Sequence, residues 1–96
     1  MTVVAYVPDL MDRSRFGGGV QFVSDPADDA GESASLLVID LSRGGVPAAL
    51  PTGVRVVGFA PHVDDELLRR AEAAGVEALP RSVFFRRLPE LLAEAD

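Results

Sequence analysis

The sequence predicts an α/β domain of three layers, with a five-stranded parallel sheet between short helices. Three observations lead there. Five short apolar runs, rich in Val, Leu and Phe, recur at residues 2–7, 20–23, 36–41, 54–59 and 76–79. The third and fourth (LLVIDL and VRVVGF) are nearly continuous rather than alternating, which suits strands covered on both faces. Helix start and stop signals stand between the runs, so strand and helix alternate along the chain.

Taken in order, residues 2–7 form the first strand, and residues 9–16 have room for two helical turns before Gly17, Gly18 and Gly19 break them. After the second strand, Asp25 and Pro26 read as an N-cap followed by an N1 proline ahead of a short acidic turn. The third strand ends in Asp40; beyond it, Val46 and Pro47 open a brief segment closed by Pro51. The clearest helix spans about residues 64–74. Asp64, Asp65 and Glu66 lie in its first turn, Arg69 and Arg70 come later, and Gly75 supplies the stop. Leu67, Leu68, Ala71 and Ala74 form its apolar stripe. In the last segment Ser82 is a candidate cap for a helix carrying Phe84, Phe85, Leu88, Leu91 and Leu92. Pro89 falls inside it, so either a turn at 83–87 precedes a second helix or one helix is kinked.

Composition narrows the function classes. At 96 residues the chain predicts one domain over 1–96, with 48% apolar and 25% charged residues. The net charge of −6 argues against nucleic acid and against an anionic membrane surface as partners. With no cysteine there is no thiol nucleophile or Cys-based metal site. All nine basic residues are arginine, so chemistry needing an ammonium, such as a P-loop lysine or a Schiff base, is excluded. No apolar run reaches the length of a membrane span and the N-terminus lacks the plan of a signal peptide, which predicts a cytoplasmic protein. Gly17 to Gly19 follow a helix and precede a strand, the reverse of a dinucleotide fingerprint.

Five strands joined by right-handed crossovers favour the flavodoxin-like order 2-1-3-4-5 with shortened helices. In such a sheet the functional crevice lies beyond the carboxyl ends of the strands. That places Asp9 and Asp12, Asp40 and Ser42, His62, and Arg81 around one rim.

LLVIDLS, with Asp40 ending the third strand, and VRVVGFAPH, followed by an amphipathic helix ending in AAGVEALPRSVF, resemble a response-regulator receiver (CheY-like) domain over almost the whole chain. The resemblance implies Asp40 as a phospho-accepting aspartate and a magnesium ion held by Asp9 and Asp40. The departures are specific. Val7 and Pro8 fall where the acidic pair belongs, Phe59 or Ala60 where a small hydroxyl residue belongs, and Arg81 where the lysine belongs. Phosphoryl transfer needs a bridging cation and a donor for the developing charge, so these gaps point to a pseudo-receiver whose chemistry is lost. In that reading Asp40 hydrogen-bonds the loop after its strand or caps the next helix, Asp9 and Asp12 are first-turn acids, and Arg81 pairs with Asp40 or stands exposed.

A second similarity is local. Pro61-His62-Val63-Asp64-Asp65-Glu66 resembles the His-Pro-Asp-Asp-Glu signature of zinc-dependent N-acetylglucosamine-type deacetylases, which implies His62 and Asp65 as ligands and Asp64 as base. Val63 replaces the proline, no second histidine completes the set, and helix N-terminal acids account for Asp64 and Asp65 without a metal.

The sequence therefore predicts a non-catalytic, receiver-like signalling module that binds another protein, or a second copy of itself. The candidate surface is Phe84, Phe85, Arg86 and Arg87, where aromatic and arginine side chains stand together. Two alternatives come from other classes: a phosphorylatable receiver with Asp40 as acceptor, and a binder of a nucleotide or metabolite in the crevice.

Overall fold

The computed structural model describes residues 2–24, 34–51 and 53–95. Its elements run β1 (Thr2–Tyr6), α1 (Leu10–Ser14), β2 (Val20–Phe22), β3 (Ala34–Asp40), α2 (Leu41–Gly44), β4 (Arg55–Ala60), α3 (Asp65–Ala73), β5 (Glu77–Pro80) and α4 (Arg81–Glu94). Every strand pairing is parallel and the sheet order is β2-β1-β3-β4-β5, that of a flavodoxin-like doubly wound fold. β1 and β3 are neighbours, so the winding reverses between them. The crevice such a reversal opens lies beyond Tyr6 and Asp40.

Strand alternation divides the interior into two cores. Val3, Ala5, Leu36, Val38, Val57 and Phe59 face α1 and α4, where they meet Phe16, Phe84, Phe85, Leu88 and Leu91. Val4, Leu37, Ile39, Val56 and Ala60 face the other way, onto Leu41, Leu67, Leu68 and Ala71. The first core is aromatic and the second aliphatic. Leu67, Leu68 and Ala71 belong to the stripe expected on α3, and that helix ends as a Schellman motif. The Gly75 amide donates to Glu72 O at 3.0 Å and the Val76 amide to Ala71 O at 3.0 Å. Gly75 takes φ 99°, a conformation that only glycine adopts readily.

Three local expectations need correction or qualification. No helix forms over residues 46–51; the helical turn sits earlier, at α2, because Asp40 caps it directly off the strand. Pro47 and Pro51 lack amide donors, and Val46 and Leu50 instead pack against the aliphatic core. The helix expected from Asp25 and Pro26 lies outside the described residues. Ser82 does not cap the last helix but lies inside it: the helix starts at Arg81, with Pro80 at the N-cap and no side-chain cap, and runs unbroken through Pro89. Pro89 is on the exposed side. Its interior cost of about 3 kcal/mol is outweighed by burying Phe84, Phe85, Leu88 and Leu91, at roughly 1.5–3 kcal/mol each. Among the described residues no helix is long and apolar enough to cross a membrane.

Candidate functional site

The carboxyl ends of the strands gather most of the residues that the sequence singles out, and Asp9, Asp12 and Asp40 each have a partner there. Asp9 follows β1 and caps α1: its Oδ1 accepts from the amides of Met11 (2.8 Å) and Asp12 (3.1 Å). A five-residue helix has too few internal bonds to hold itself, so this cap and the Arg13 Nε donation to Val7 O at 2.6 Å tether it to the sheet.

Asp12, one turn into α1, is buried, its side chain only 6% exposed. Both its oxygens accept from the first residue of α4: Arg81 Nη1 donates to Oδ2 at 2.7 Å and Arg81 Nη2 donates to Oδ1. The fork holds the Asp12 carboxyl below the ordinary value of 3.8, against the opposing effect of burial, with further help from the charges of Arg81, Arg15 and Arg43. The same bonds raise Arg81, which also lies in the field of Asp40 and Asp9. Arg81 thus pairs with Asp12, not with Asp40 as the sequence suggested. The reason is geometric: α1 and α4 cover the same face of the sheet, and Asp12 presents both oxygens to the planar guanidinium.

Asp40 ends β3 buried and caps α2. Its Oδ1 accepts from Ser42 N at 3.2 Å and from Ser42 Oγ at 2.7 Å. Ser42 itself is exposed. The receiver resemblance implies a magnesium ion on Asp9 and Asp40, and each of these carboxylates gives its Oδ1 to donors of its own loop. Asp12 is held by a cation already, and among the described residues no three His, Asp or Glu side chains gather around one point. His62, Asp64 and Asp65 are all exposed in and after the β4–α3 turn. Asp64 makes no side-chain cap bond.

Phe84 and Phe85 are interior, 0% and 8% exposed, which removes them from the candidate surface and leaves the exposed Arg86 and half-buried Arg87. Adjacent helical positions both find cover because the aromatic core wraps around α4. Phe84 stacks on Phe59 of the sheet at 4.6 Å, while Phe85 meets Phe59 edge-on at 5.2 Å and Phe16, just after α1, at 6.3 Å. The rim side of Phe85 is closed by guanidinium groups, Arg15 at 4.2 Å and Arg81 at 4.9 Å from the ring centre.

Sequence reasoning missed Arg15. It stands three residues after Asp12, hence on the same face of α1, and that spacing was the available signal. With Arg81 it forms the wall between two shallow hollows, of about 380 and 430 Å³. Leu10, Met11 and Val63 were also missed; they are 74%, 80% and 79% exposed, on the connections that leave β1 and β4. No protein-family model matches the chain, and no curated protein or solved structure is significantly similar to it.

Proposed function

We propose that this chain is a non-catalytic, receiver-like regulatory module that acts in the cytoplasm by binding another protein, a second copy of itself being one such partner. The observation that carries this reading is the closed state of the rim chemistry. Asp9, Asp12 and Asp40 each serve an internal partner, and Arg81 is paired with Asp12 rather than with Asp40. Such a rim positions backbone and surface and supplies no activated nucleophile or acid–base pair. Three large apolar side chains beyond the carboxyl ends of β1 and β4, Leu10, Met11 and Val63, offer contact area that folding leaves uncovered.

The test is affinity capture from a lysate of the native host with the tagged chain and two double variants, Leu10→Ser/Met11→Ser and Arg86→Ala/Arg87→Ala. All four side chains are exposed or half-buried, so both variants keep the far-UV spectrum of the parent. A partner that one variant loses while the fold persists supports the reading. Capture identical in all three contradicts it. A receiver that still switches is distinguished by an NMR titration with magnesium and beryllofluoride: shifts centred on Asp40 would replace this proposal with a phosphorylatable receiver.

A further inference from the structure

We infer that the hollow between α1 and the start of α4 is a binding site for a phosphate monoester, built by Arg15, Arg81, Ser82 and Arg86. Arg15, Arg81, Ser82, Phe85 and Arg86 line this hollow of about 380 Å³, at the small end of the range for ligand pockets. The chain as a whole is acidic, at −6, so three of its nine arginines around one depression run against the average field. The other strongly held arginine shows what this protein ordinarily does with such a charge. Arg55 donates to both Glu77 and Glu94. Arg15 and Arg86, by contrast, are exposed with no acidic partner among the described residues. Arg81 gives Asp12 two of its five N–H donors and keeps three.

The donor set selects the anion. One planar fork satisfies a carboxylate, as Asp12 and Arg81 demonstrate. The hollow brings three arginines and Ser82 together from two elements of the fold, the end of α1 and the start of α4. Donors spread in this way suit the three terminal oxygens of a tetrahedral phosphate. Charge balance points the same way. Asp12 is the ion-pair partner of Arg81, and the two arginines without such a partner among the described residues, Arg15 and Arg86, supply two charges for a monoester dianion. Asp9 and Asp12 line the adjoining hollow, which shares Arg15 and Arg81 with this one. This site is separate from the Asp40 position and does not depend on the protein-binding reading.

The experiment is an amide NMR titration of the intact chain with inorganic phosphate, a sugar phosphate and a phosphoserine-containing peptide, against chloride at matched ionic strength. Saturable shifts at residues 15, 81, 82 and 86 are expected with phosphate and not with chloride. Arg86→Gln changes an exposed side chain, leaves the remaining spectrum in place, and weakens phosphate about tenfold, the loss of one charge-assisted hydrogen bond. Tighter binding of the sugar phosphate assigns the site to a free metabolite; tighter binding of the peptide assigns it to a phosphorylated partner. Shifts that do not saturate, that chloride reproduces, or that survive unchanged in Arg86→Gln overturn the site.

Discussion

Replacing Arg81 with methionine removes the guanidinium and keeps an apolar stem against Phe59 and Phe85. The exposed limit for an ion pair is below about 1 kcal/mol, and breaking a buried one costs about 3–5 kcal/mol. Asp12 is 6% exposed and Arg81 41%, so solvent screens one end of the pair only and about 2 kcal/mol is the expected loss. A domain of this size loses roughly 4–8 °C in Tm per kcal/mol, hence about 8–16 °C here. Far-UV circular dichroism is the suitable probe, since the chain contains no tryptophan. Crossing Arg81→Met with Asp12→Asn isolates the pair, with a coupling energy of about 2 kcal/mol expected at neutral pH. Acid supplies an independent check. The folded Asp12 carboxyl lies below 3.8, so the pair's stabilisation is complete above the unfolded value and is lost as pH falls through the folded one. In Arg81→Met the carboxylate stays buried without its partner, and protonation relieves that variant. The gap between the two proteins therefore narrows toward pH 3. A coupling below about 0.5 kcal/mol, or a gap constant from pH 7 to pH 3, would refute the clamp as the tie between α1 and α4.

Gly58→Ala tests the contact between β4 and α2: a Cβ there would stand 2.8 Å from Leu41 Cγ and Cδ1, and Leu41 is buried, so a loss of about 1–3 kcal/mol in urea unfolding is expected. An unchanged midpoint would mean that Leu41 moves aside freely. Glu77→Gln tests the surface network around Arg55, whose members are 35–54% exposed; it costs less than about 1 kcal/mol, and the difference from the parent vanishes in 1 M salt. Arg55 holds the Glu77 carboxyl below 4.5, so that contribution is present at neutral pH and disappears on acidification. Thermal melts at two salt concentrations and two pH values decide it.

The strand runs were legible because buried parallel strands require unbroken apolar sequence, and LLVIDL and VRVVGF leave few other readings. The end of α3 was legible because Gly75 marks a local motif. Legibility failed where a choice depended on contacts distant in sequence. Nothing local distinguishes Asp12 from Asp40 as the acceptor for Arg81; the decision lies in α1 and α4 sharing a face, 69 residues apart. The same holds for Phe85. Helical spacing alone turns it outward beside Phe84, and only the arrival of Phe16 and Arg15 from α1 encloses it. The turn at residues 41–44 was hidden by the proline signals that follow it, although Asp40-Leu41-Ser42 already contained the cap.

Arg81 connects the two hollows, and this couples what each can bind. Its charge is permanent and the bonds to Asp12 raise its pKa further, so the Asp12 clamp does not open by titration near neutral pH. It opens only by competition, when an anion offers the guanidinium better acceptors or a cation displaces it from Asp12. An oxyanion on the α4 side that draws Arg81 outward leaves a buried carboxylate unpaired, at a cost set by the same pair energy that the double-mutant cycle measures. Ligands that meet Arg81 through its three remaining donors avoid that cost and leave α1 in place. The depth at which an anion sits therefore determines whether binding is silent or loosens the short helix that carries Leu10 and Met11.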